Sequence, residues 1–122
     1  MKYLIVLLPA LIHIYIFVLE SLLWGTKRTK KVFGLREEDV AATRPLAFNQ
    51  GFYNLFLAIA IVLGLYLQTQ ESLQAEGKVL ILYGLFSIIA AGVVLLLSNK
   101  KLWRGAVIQI LPAAVSLIPF LI

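Results

Sequence analysis

Two side chains able to exchange a proton, His13 and Glu20, and three carboxamides, Asn49, Gln50 and Asn54, fall within or at the mouth of long apolar runs. Polar groups are costly there unless they find partners, so an ionisable residue inside a membrane span is a functional candidate by default. His13 and Glu20 are seven residues apart, which places them on one face of a helix, two turns from each other. Gln50 and Asn54, at i and i+4, also share a face. Asn49 lies about 100° round from Gln50 and is expected to flank the site or brace the preceding loop. Gln109, in the last apolar run, adds a further amide, and Tyr15, Trp24 and Tyr53 supply flanking aromatic rings.

Three kinds of chemistry suit this set. In the first, favoured here, the protein binds or transports a small molecule or ion, with His13 and Glu20 titrating and the carboxamides as hydrogen-bonding ligands. In the second it is a membrane-embedded enzyme acting on a lipid or isoprenoid-like substrate. Because an i, i+7 pair is separated by about 10.5 Å along the axis, substrate or water would have to bridge His13 and Glu20. In the third it is an accessory subunit, and the polar residues fix helix register only. Each residue also has a plainer role: Glu20 as an interfacial carboxylate reaching water or Arg104, His13 bonded to a neighbouring helix, Gln109 as an interhelical contact, and the tyrosines as packed rings. A carboxylate, an imidazole and several amides in one half of a small bundle exceed what helix register requires.

The elements that must position these groups follow from composition. Of 122 residues, 61% are hydrophobic and 14% charged, with a mean hydropathy of +0.95, the profile of an integral membrane protein. The absence of cysteine removes disulfides and thiolate chemistry, and a single histidine removes any site built from several imidazoles of one chain. No nucleophile, phosphate cradle or multidentate metal motif is present, so no cofactor or metal is expected. The net charge of +5 resides in loops between apolar runs, where membrane orientation and anionic lipid account for it better than nucleic acid does. The expected partners are membrane lipids and an unidentified small-molecule ligand, with a homodimer if the function is transport.

Apolar runs over residues 3–24, 45–67, 79–97 and 102–122 each approach the ~20 residues needed to cross a bilayer, so residues 1–122 are read as one four-span domain. The first run carries Pro9, His13 and Glu20 and ends in Trp24-Gly25-Thr26 followed by bases, which argues against a cleaved signal peptide. Short connections predict an all-α, up-and-down antiparallel four-helix bundle. The one long loop, residues 25–44, is expected to carry a short interfacial helix over residues 35–42, begun by Glu37, Glu38 and Asp39, with Pro45 near the start of the second span. Lys27, Arg28, Lys30, Lys31, Arg36 and Arg44 in the first loop, and Lys100, Lys101 and Arg104 in the third, face only Lys2 and Lys78 on the other side. The positive-inside rule therefore predicts cytoplasmic first and third loops and outward-facing termini. Counting 1.5 Å per residue, Glu20, Asn49 and Gln50 lie about 6 Å inside the cytoplasmic edge, and His13 and Asn54 about 14 to 17 Å, with Gln109 between the two levels.

The sequence resembles the domain of unknown function 1304 family of small membrane proteins over nearly its whole length. The resemblance is carried by His13-Ile14-Tyr15-Ile16, by Glu20 and Trp24, by Lys31-Val32-Phe33-Gly34-Leu35, and above all by Asn49-Gln50-Gly51-Phe52-Tyr53-Asn54-Leu55-Phe56-Leu57-Ala58. Gln109 followed by Pro112-Ala113 fits the same pattern. The resemblance implies four spans and supplies no activity.

Overall fold

The computed structural model describes residues 3–122, so Lys2, counted above among the outward bases, lies outside the described residues. Helix α1 (Leu7–Phe17) is preceded by a 3-10 turn, Leu4–Val6, and continues through a π-helical turn, Val18–Leu22. Then come α2 (Lys27–Phe33), α3 (Val40–Leu67), α4 (Gln74–Ser98) and α5 (Trp103–Leu121). No strand occurs among the described residues. With their flanking turns, four helices are long and apolar enough to cross a membrane: Leu4–Leu22, Glu37–Leu67, Glu71–Ser98 and Lys100–Leu121. The chain is an all-α, multi-pass membrane protein.

Going round the bundle, α1 packs on α3, α3 on α4, α4 on α5, and α5 back on α1. Each neighbouring pair is antiparallel, which the short connections between α3 and α4 and between α4 and α5 require of those two pairs. Ser21 meets Phe48 across α1 and α3, Gly64 meets Gly77 across α3 and α4, Gly92 meets Ile110 across α4 and α5, and Ser116 meets Ile5 across α5 and α1. The core of Val6, Ala10, Ala58, Ile61, Ile81, Leu85, Ile88 and Ala113 holds the half of the bundle that contains the start of α1 and the end of α5. The first and third loops, with nearly all the bases, sit together at the opposite end.

The first loop departs from the expected layout. Its short helix is α2, over Lys27–Phe33, and not residues 35–42. Thr26 caps α2 by accepting from the Thr29 N–H, and Gly34, at φ +62, closes it in the left-handed conformation that glycine adopts without Cβ strain. The three acids instead make a 3-10 turn, Glu37–Asp39, that opens α3, where the helix macrodipole favours negative charge. Arg36 pairs with Glu38 and Asp39 there at 2.8 and 2.9 Å. Helix α3 therefore begins before Pro45, which lies inside it. Proline as the sixth residue of α3 forfeits the one ladder bond to the Ala41 carbonyl, near a helix end where a carbonyl can reach water, so the helix continues through it.

Candidate functional site

Glu20 occupies the middle of the π-helical turn that ends α1, closed by the Leu23 N–H donating to the Val18 carbonyl at 3.0 Å. Such a turn holds one residue more than an α-helical turn and re-aims the side chains beyond it; π-turns recur at functional sites. From here the Glu20 carboxylate accepts a hydrogen bond from Asn54 Nδ2 on α3 at 2.9 Å. The second Asn54 amide proton goes to the Gln50 carbonyl at 3.1 Å. With both its protons committed, the Asn54 amide presents Oδ1 as a free acceptor. Among the described residues no cation pairs with Glu20, whose side chain is partly exposed.

The α1–α3 seam beside this pair is held by a close approach of backbones. Gly51 is buried against Ser21, and a Cβ at position 51 would collide with the Ser21 side chain and approach its backbone nitrogen to 3.0 Å. That proximity lets Ser21 Oγ donate to the Phe48 carbonyl at 2.8 Å. Phe17 packs edge-on against Phe52 one turn deeper, ring centroids 5.1 Å apart. Glycine within the Asn-Gln-Gly-Phe-Tyr-Asn stretch thus sets the helix spacing that allows Asn54 to reach Glu20.

The other sequence candidates are distributed differently. His13 is fully buried; its Nδ1–H donates to the Pro9 carbonyl at 2.9 Å, which leaves Nε2 as a buried acceptor with no donor among the described residues. No hydrogen bond joins His13 to Glu20 among the described residues. Gln50 is exposed one turn from Asn54, and Asn49 is exposed about 100° round α3 from Gln50. Gln109 is half-buried on α5 at about the level of His13 in the α1–α5 register. Tyr53 faces outward, edge-on to Phe56.

Tyr15 and Trp24 fasten the first loop. Arg28 of α2 donates to the Tyr15 hydroxyl and lies over its ring. Trp24 Nε1 donates to Thr43 Oγ1 at 3.0 Å, its ring packs on Phe33, and its carbonyl accepts from Arg44 at 3.1 Å. Thr29, which sequence reasoning passed over, is the buried knot of this loop. Its hydroxyl accepts from the Gly25 N–H at 3.0 Å and faces the Leu23 and Thr26 carbonyls at 3.1 Å. Threonine at a short helix after a glycine carries no motif that marks it, and only the folded loop reveals its partners.

The fold is that of a multi-pass helical membrane protein in which a carboxylate at the end of α1 accepts a hydrogen bond from a carboxamide on a neighbouring helix. The family described as "Protein of unknown function (DUF1304)" matches residues 7–121, and the chain belongs to that family. No curated protein and no solved structure matches it.

Proposed function

We propose that the protein binds a small molecule or ion inside the membrane at Glu20, Asn54 and Gln50, and that this binding serves its movement to or from the face carrying the basic loops. By the positive-inside rule that face is cytoplasmic. The observation that carries the reading is a carboxylate inside a span, hydrogen-bonded to one carboxamide at 2.9 Å, partly exposed and lacking a cationic partner among the described residues. Pairing for helix register alone is expected to finish with such a group covered and neutralised, since an uncompensated charge within a span is disfavoured by about 2.5 to 3.5 kcal/mol. One chain of four spans has little room for a pathway, so transport would take a homodimer.

Native mass spectrometry of the chain in nanodiscs exposed to a cell extract tests this. The expected result is a small-molecule adduct on the wild type that is lost in Glu20→Gln and weakened in Asn54→Leu. Identical adduct spectra for all three proteins, each folded, would remove Glu20 and Asn54 from the function.

A further inference from the structure

Trp24 Nε1 donates to Thr43 Oγ1 at 3.0 Å, and tryptophan marks the headgroup level at a membrane edge. Asn49 follows Thr43 by six residues of α3, so it lies about 9 Å deeper, level with Ser21, whose hydroxyl donates to the adjacent Phe48 carbonyl at 2.8 Å. It is exposed there between exposed Leu46 and Phe48. Asn54 spends its amide protons on Glu20 and Gln50, whereas the Asn49 amide meets no group of its own chain among the described residues. The side chain is too short to snorkel to the headgroups as lysine does, and lipid tails satisfy none of its donors. Asn49, Tyr53, Phe56, Ala60 and Leu63 recur at alternating spacings of four and three, the seam pattern of paired helices. All but half-buried Ala60 are exposed, because α1 and α4 meet α3 through Gly51 and Gly64, off this stripe.

We infer that this stripe is the contact surface of a homodimer, in which α3 lies along α3 of a second copy and Asn49 bonds its own counterpart. The basic loops orient every copy alike in the membrane. A closed pair therefore has its two-fold axis along the membrane normal, and residues at the axis face themselves. The partner of Asn49 must donate and accept at one level, and a second Asn49 does both, each carboxamide giving an N–H to the other's carbonyl. Interhelical amide bonds hold membrane helices together, and a single asparagine in a helix seam fixes register and partner number. Tyr53, Phe56 and Leu63 supply the apolar contact, and Ala60 between them is small enough for the backbones to approach. The interface stands on Asn49 and not on a ligand at Glu20, and it names the surface through which the homodimer needed for transport would form.

The chain has no cysteine, so single cysteines report contact between copies without background. The full chain is placed in phosphatidylcholine vesicles and oxidised with copper phenanthroline. Asn49→Cys, Phe56→Cys and Leu63→Cys are expected to give disulfide dimers, the last two with the amide intact. Phe48→Cys, Leu55→Cys and Val62→Cys, each one residue back and about 100° round the helix, are expected to react several-fold more slowly, since a disulfide needs Cα atoms within about 7 Å. Energy transfer between copies labelled at the N-terminus, followed as lipid dilutes them, gives the dimerisation constant. Asn49→Val, which breaks no bond within the chain, is expected to weaken it by about threefold to thirtyfold. Equal rates at all six positions, or faster rates for Phe48→Cys, Leu55→Cys and Val62→Cys, overturn this face. A wild-type constant for Asn49→Val overturns the amide pair, and no energy transfer at any dilution overturns the homodimer. Absence of the dimer alongside an extract adduct that still depends on Glu20 overturns the interface and leaves the binding role standing.

Discussion

Asn54 donates to the Glu20 carboxylate at 2.9 Å although 34 residues separate them in the chain. Three local features bring them together. The π-helical turn aims Glu20, Gly51 lets α1 and α3 approach, and the bond from Asn54 to the Gln50 carbonyl fixes the amide plane. Each can be perturbed separately.

Gly51→Ala is expected to destabilise the protein by about 1 to 3 kcal/mol, the usual cost of forcing extra volume into a packed contact. The added methyl meets the Ser21 side chain and backbone, so α1 must move away and the Ser21 bond to Phe48 is lost. SDS-unfolding midpoints in mixed micelles measure the loss. Ser21→Gly in the same chain should recover part of it, and a wild-type midpoint for Gly51→Ala would show that the seam is looser than described.

His13→Leu is expected to leave stability unchanged or to raise it. The imidazole is fully buried, and its Nε2 has no donor among the described residues, a condition that costs about 1 to 3 kcal/mol and that leucine relieves at similar volume. The Pro9 carbonyl loses its side-chain donor but remains within the helix. Thermal unfolding followed by circular dichroism checks this. A fall of many degrees would mean that Nε2 accepts a hydrogen bond essential to the fold.

Thr29→Val should loosen the first loop while sparing the bundle. It keeps the shape and removes the hydroxyl, leaving the Gly25 N–H without its acceptor, at a cost of about 1 to 3 kcal/mol. Amide hydrogen exchange should quicken across residues 23–33 and stay unchanged in the core of α4. Faster exchange throughout the bundle would contradict a local role.

Much of this architecture was legible in the sequence because span length and loop length follow directly from bilayer thickness and chain geometry. The four long helices and their antiparallel order were expected on those grounds. The 1.5 Å rise sets Glu20 level with Asn49 and Gln50 and sets Asn54 a turn or more deeper, level with His13, whereas the structure joins Asn54 to Glu20 across the two levels. What periodicity could not show was a change in period. The π-helical turn adds one residue to a single turn of α1, and no residue in Val18–Leu22 announces it. The same limit explains the first loop: acids favour a helix start wherever one begins, but only tertiary contacts such as Trp24 with Thr43 fix that α3 starts there and runs through Pro45. His13 was placed at the depth of Asn54, yet its ring turns to Pro9 on its own helix.

The most direct test is a double-mutant cycle on Glu20→Leu and Asn54→Leu, read as SDS-unfolding free energies of the full chain. A shared hydrogen bond predicts a coupling of about 0.5 to 3 kcal/mol, the range that spans neutral and ionised acceptors, with the double variant more stable than the sum of the single losses implies. Losses that add to within about 0.5 kcal/mol would mean that the two side chains do not meet, and the site described around them would not exist.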